Sequence, residues 1–270
     1  MHRILTIAFI CAVVAGTLLA SDAPKSKPPI PYAVGNRWEY SVSETAFISF
    51  GEGESSRSVE MRAEGTSVVE IVSVKERRPN GDIVYLERET ENTEAGLNTE
   101  AEETVIESFT LVSQKGIYCL SHRSSGPDGA LSDNWIKYEP PLLDMPPDLA
   151  PGKKWKVGVL RDNGIRTPFE AQVMGHETIT VPAGTFEKCL KICGTCTKVS
   201  GTVAFEEGKA AIKSGKIVVT MWVYPGVGIV KEDLVSQLKM AIKLDESGNA
   251  LLITGTSRET TELQPGYKAD

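Results

Sequence analysis

Histidine is nearly absent from this chain: three in 270 residues, at His2, His122 and His176. That scarcity excludes any site built from several imidazoles. His176-Glu177 has no second histidine four residues further on, so a zinc-protease helix is excluded. No Gly-x-Ser-x-Gly elbow and no phosphate-cradling glycine loop occurs. Basic clusters are missing as well. Lys and Arg number 29 against 36 Asp and Glu, for a net charge of −7. Nucleic acid and anionic lipid surfaces are therefore poor partners. No long segment carries a sustained 3.6-residue period, which excludes a helical bundle.

One apolar run stands out. Met1-His2-Arg3 gives a short basic start, Ile4 to Leu19 is almost wholly apolar, and Ala20-Ser21-Asp22-Ala23 is small or polar. This is the order of a secretory signal over residues 1–20, cut after Ala20, with Ala23 as the second choice. The run is shorter than the roughly 20 residues a spanning helix needs, so no membrane span is expected once it is removed. A lipoprotein signal would place Cys where Ser21 stands, and Cys11 lies inside the apolar run, so no lipid anchor is expected. The destination is periplasmic or extracellular. Residues 21–31, with Pro24, Pro28, Pro29 and Pro31, read as a proline-rich lead-in.

The rest reads as β. Trp38 to Val42, Ser67 to Val74, Ile83 to Leu86, Thr104 to Ile106, Phe109 to Val112 and Trp155 to Val159 are strand-like. So are Ile179 to Val181, Lys216 to Val223, Gly228 to Glu232, Leu238 to Leu244 and Leu251 to Thr254. Asn-Gly, Gly-Pro-Asp-Gly and Ser-Gly-Asn signals between them predict antiparallel meanders. Val203 to Lys213 reads as one short helix weakened by Gly208. Glu91 to Glu103 reads as a polar loop. Five prolines between Pro140 and Pro151 exclude a central strand or helix there. Its Leu142, Leu143, Met145 and Leu149 predict that this segment packs along the body. Gly35-Asn36-Arg37-Trp38 is echoed by Gly152-Lys153-Lys154-Trp155. The echo reads either as a recurrent strand-entry turn or as two pseudo-repeated halves joined near 140–151. The expected organisation is one β-rich domain over 32–260 and a tail over 261–270.

Chemistry-bearing residues are few. Cys119, Cys189, Cys193 and Cys196 remain after signal removal, and an oxidising destination makes them disulfide candidates. In one strand, Cys189 and Cys193 share a face about 13 Å apart, and Cys193 and Cys196 face opposite sides. A bridge needs Cα atoms within about 7 Å, so Cys193–Cys196 requires a turn at Gly194-Thr195, or Cys119 must pair from another strand. The same cluster admits thiol–disulfide exchange at Cys193, or a metal held with His122 or His176. The 36 acidic residues leave a glycosidase-type carboxylate pair open, without naming one. Trp38, Trp135, Trp155 and Trp222 read mainly as core anchors.

Three segments resemble a known family: Tyr32 to Tyr40 (YAVGNRWEY), Val181 to Ile192 (VPAGTFEKCLKI) and Trp222 to Glu232 (WVYPGVGIVKE). Together they are similar to TapB-like secreted bacterial proteins of unassigned function. The resemblance implies a LolA/LolB-like architecture, a curved antiparallel sheet or incomplete β-barrel with few or short helices. It implies no catalytic residue and no cofactor. An incomplete barrel must cover its apolar inner face, and Leu142, Leu143 and Met145, with Trp135, are the ligand-side candidates. The leading expectation is a non-enzymatic cell-envelope binding or structural module holding an apolar or lipid ligand. The alternatives are a thiol-redox or metal protein and a carbohydrate-active enzyme.

Overall fold

The computed structural model describes residues 31–51, 57–95, 102–126, 129–162, 164–205, 208–243 and 250–269. Residues 1–20, read as a signal, and nearly all of the expected proline-rich lead-in lie outside them. Thirteen strands follow one another: β1 (Arg37–Phe50), β2 (Arg57–Arg77), β3 (Ile83–Ala95), β4 (Glu102–Ser113), β5 (Gly116–Ser124), β6 (Ile136–Met145) and β7 (Lys154–Asp162). Then come β8 (Ile165–Val181), β9 (Gly184–Cys196), β10 (Ser200–Phe205), β11 (Gly208–Tyr224), β12 (Gly228–Lys243) and β13 (Ala250–Leu263). They build one curved antiparallel sheet in the order β10-β8-β9-β11-β12-β13-β1-β2-β3-β4-β5-β6, with β7 on β8. The mainly β, curved-sheet class read from the sequence is the one observed.

The period of two sets the packing. Along β1, Trp38, Tyr40, Val42, Ala46 and Ile48 are buried, while Arg37, Glu39 and Ser43 are exposed. Along β8, Ile165, Thr167, Phe169, Ala171 and Val173 alternate with Arg166, Pro168 and Glu170. One face of the sheet therefore curls inward and the other meets solvent. Among the described residues no helix is long and apolar enough to cross a membrane.

Curling brings β6 against β7 and nearly closes the ring. The join is made without a ladder among the described residues: Trp155 Nε1 donates to the Leu143 carbonyl at 3.0 Å. Gly158 (φ 137°) lies so close to Leu142 that a Cβ there would sit 2.6 Å from Leu142 Cδ2. The two Trp-bearing turns share their hydrogen bonding. Gly35 N–H donates to Ile71 O at 2.9 Å and Ile71 N–H to Asn36 O at 3.0 Å. Gly152 N–H donates to Val173 O at 2.8 Å and Val173 N–H to Lys153 O at 2.9 Å. In both, glycine takes a positive φ, 89° and 87°, that L side chains avoid. Both tryptophans end in the same hydrophobic cluster.

Several local readings change. Val203 to Lys213 is no helix. Val203 pairs with Ala210 and Phe205 with Gly208, so β-branched and aromatic residues enter a β10–β11 hairpin. Glu91 to Ala95 extend β3, and Glu102 and Glu103 open β4; the residues between lie outside those described. Pro140 and Pro141 do sit in a strand, but β6 ends the sheet order and its pairing skips Tyr138 to Pro141. Gly228 to Glu232 and Leu238 to Lys243 belong to one strand, β12. Beyond residue 260, β13 continues to Leu263 and Lys268 pairs with Arg37, so this stretch joins the sheet.

Gly65 sets the approach of β2 to β3. A Cβ at Gly65 would meet Asn92 O at 2.1 Å and Thr93 Cα at 2.9 Å. Gly65→Ala is expected to cost about 1–3 kcal/mol by overpacking against backbone. Thermal unfolding should show a midpoint several degrees lower; an unchanged midpoint contradicts this packing.

Candidate functional site

Strand alternation carries acidic side chains to the inside. On the β2–β3 ladder, Ile71 pairs with Glu87, Val69 with Glu89 and Ser67 with Glu91. Ile71, Val69 and Ser67 are buried on the inner face. Their cross-strand partners face the same way, so three carboxyls line up at every second position. On the β1–β13 ladder, Glu44 pairs directly with Glu259. Glu232 pairs with Thr261 on β12, between buried Val230 and Leu234. Asp144 is the extra residue where β6 pairs Leu143 with Tyr118 and Met145 with Ile117. Seven carboxyls from β1, β3, β6, β12 and β13 thus share one face.

They are not alike in exposure. Glu87 is 4% and Glu232 8% exposed. Glu44, Glu89, Glu91, Glu259 and Asp144 keep partial exposure, yet protein crowds around them, as on a concave surface. Hydroxyls satisfy some oxygens: Tyr32 OH donates to Glu87 at 3.1 Å and Ser67 Oγ to Glu89 at 2.7 Å. Glu232 Oε2 and Asp144 Oδ2 are buried atoms without a partner. Among the described residues, none of the seven forms an ion pair.

The electrostatic result is uniform. Burial, and then the charges of Glu89 and Asp144, push Glu87 up to about 8, against the bond from Tyr32. Burial, with Glu259, Glu89 and Glu44 nearby, pushes Glu91 up to about 8. Glu259 rises to about 7 through burial and the charges of Glu44 and Glu89. Burial also raises Glu44 and Glu89, and it carries Glu232 and Asp144 well above the carboxylate range. The charged neighbours in this set are other carboxyls. At neutral pH much of the face is protonated, a row of hydroxyl donors able to become carboxylates when a cation arrives.

Beyond Asp144 the inner face continues into a neutral polar patch. Tyr138 OH and His122 Nδ1 lie 2.7 Å apart, and burial lowers His122 to about 4. His122 Nε2 and Thr110 Oγ1 are buried without partners. Cys119 pairs with Thr110 and Leu142, and burial raises its thiol well above the ordinary range.

The outer face handles charge differently. Glu107, 2% exposed, accepts from Arg88 Nη2 at 2.5 Å and Arg123 Nη2 at 2.6 Å. Burial alone would raise Glu107, but the two guanidiniums hold it below the usual carboxylate range. Trp135 stacks on Phe109 at 4.2 Å, with the Arg123 guanidinium 4.8 Å from its ring centroid.

The residues singled out from the sequence are dispersed. Cys119 packs with Tyr138 and Leu142, Cys189 joins the largest cluster, and Cys196 packs with Ile217 and Val219 in another. Cys193 is half-buried on the opposite face of β9, and all four are free thiols. Burial pushes Cys189 up to about 11. His176 is exposed on β8. Among the described residues no three His, Cys, Asp or Glu side chains are arranged to hold a metal ion. Leu142 and Met145 are buried in two different clusters, Leu143 packs against one of them, and Trp135 is on the outer platform. The acidic face was missed. Its signal was present in the alternation Glu87-Arg88-Glu89-Thr90-Glu91, hidden by reading Glu91 as loop.

Stability should carry the sign of this face. Each raised carboxyl holds its proton to higher pH in the folded chain than the ordinary 4.5. The folded state binds more protons from that range up to about 8, so stability falls as pH rises through the window. Glu107 and Glu177, which lie below the carboxylate range, act in the opposite sense at lower pH, and so does His122 between about 4 and its ordinary 6.5, one group against the raised carboxyls. The thermal midpoint is expected to be higher at about pH 5.5 than at about pH 8.5. Equal midpoints, or a higher one in base, contradict the assignment.

No family model and no curated protein matches the chain. Among solved structures it is similar to a candidate lipoprotein of Parabacteroides distasonis, with TM-score 0.41, 12% identity and 90% of this chain and 99% of that one covered. It is also similar to a candidate exported protein of Bacteroides fragilis with a YmcC-like fold, with TM-score 0.33, 9% identity and 87% and 97% coverage. At these scores the likeness carries no inference about this chain.

Proposed function

We propose that this chain is an exported, non-enzymatic binding module of the cell envelope that holds a cation-bearing ligand on its carboxyl-lined inner face. Export rests on the sequence of residues 1–20. The binding reading rests chiefly on Glu232, which is 8% exposed, keeps an unpartnered oxygen and faces Glu259 and Glu89 across the sheet. An unpaired buried carboxyl costs several kcal/mol if ionised, and it avoids that cost by holding its proton. A ligand cation supplies the missing partner and lets the group ionise with a charge-assisted hydrogen bond.

The enzymatic alternative has less support. A glycosidase pair separates into a raised acid and an ionised partner, whereas here all seven carboxyls move in one direction. The thiol alternative centres on Cys193 and needs a second thiol within bridging reach, whereas Cys193 lies on the opposite face of β9 from the buried Cys189 and Cys196. The purely apolar ligand has Leu142 and Met145 as candidates, and both already spend their surface on the core, at 4% and 2% exposed.

Calorimetry with octylamine, octanol and octanoate separates charge from apolar surface. Octylamine is expected to bind, with Glu232→Gln weakening it about tenfold, the value of one charge-assisted bond. Equal binding of all three would favour the apolar or lipid reading. Failure of octylamine to bind sinks the cation reading.

A further inference from the structure

The carboxyls form a line, and the line sets the ligand's shape. Glu87, Glu89 and Glu91 occupy alternate positions of one strand, so their Cα atoms stand about 7 Å apart in succession. At one end Asp144 acts on Glu87; at the other, Glu259 and Glu44 act on Glu91. Glu259 acts on Glu232, and both feel Glu89. A single compact cation does not use such an arrangement, and no three of these groups converge on one point as metal ligands do. The exposed end of the line is Glu91 with Glu44 and Glu259; the buried end is Glu87 with Asp144 and its unpartnered oxygen.

Building on the cation-binding reading above, we infer that the ligand class is a linear oligoamine, with protonated amines separated by spacers of four or five methylenes that match the step along β3. One terminal amine enters toward Glu87 and Asp144. An interior amine meets Glu89, with Glu232 opposite. The outer amine meets Glu91, Glu44 and Glu259. Tyr40, whose ring is buried among Glu87, Glu89 and Glu232, flanks the methylene chain. No bond is made or broken; protons leave the carboxyls as the ammonium groups arrive.

The test is a calorimetric series on the mature chain at fixed pH and salt: butylamine, butane-1,4-diamine, and the linear triamine and tetramine built on the same spacers. Each added amine up to the triamine is expected to tighten Kd about tenfold, the value of a charge-assisted bond, and the tetramine should gain little more. Glu87→Gln should remove the gain from the last amine, so that the triamine binds the variant no more tightly than the diamine does. Gln is isosteric and neutral, as the protonated Glu is, and each variant's thermal midpoint is recorded to confirm folding. Octylamine binding with a flat amine series overturns the oligoamine inference and leaves the cation reading standing. No binding by any amine overturns both. Equal affinity for diamines of two-carbon and five-carbon spacing overturns the match to the β3 step.

Discussion

The structure depends on one constraint: in a sheet that curls on itself, every second side chain must go inside. Register fixes which ones. A slip of one residue on β3 would turn Glu87, Glu89 and Glu91 to solvent and bring Arg88 and Thr90 in. The register cannot slip freely, because Tyr85, on the same face of β3 as Glu87, packs into the cluster that holds Val69, Ile71, Trp38 and Tyr40. The hydrophobic gain of those side chains, roughly 1.5–3 kcal/mol each, holds the carboxyls where they would not go alone.

Burial then decides their chemistry. The sheet has two ways of housing an inaccessible carboxyl. On the outer face Glu107 receives two guanidiniums and stays ionised. On the inner face the seven have hydroxyls, an amide and one another, so burial raises every one of them toward the protonated form. A chain that can build the first arrangement but leaves the second without cations has a polar interior suited to a cation from outside. The near-closed ring, joined at Gly158 and Trp155 without a ladder, keeps that interior concave.

Much of the fold was legible in the sequence because alternation and turn chemistry are local. Trp38 and Trp155, each after a glycine turn, were readable as strand entries, and the turns proved alike down to their hydrogen bonds. Two local readings failed where pairing outweighed composition. Val203 to Lys213 has helix-tolerant residues, but Val203 and Phe205 pair with Ala210 and Gly208 in a hairpin with β11. Glu91 to Ala95 look like solvated loop, but they extend a strand paired with Ser67 to Ala63 of β2, alternate residues of which turn inward. The candidate site followed the same logic. Cysteine and histidine drew attention as chemically rich types, and the structure disperses them over separate clusters. The acidic face was spread over five strands, and only register brings Glu44 beside Glu259 or Glu232 near Glu89.

Carbon-detected NMR of the glutamate carboxyls, followed as a function of pH, reads the protonation of the inner face residue by residue. Midpoints near 8 are expected for Glu87 and Glu91 and near 7 for Glu259, with Glu107 below the ordinary range. If Glu87 and Glu91 titrate near the ordinary 4.5, the inner face is open water and the central claim is contradicted.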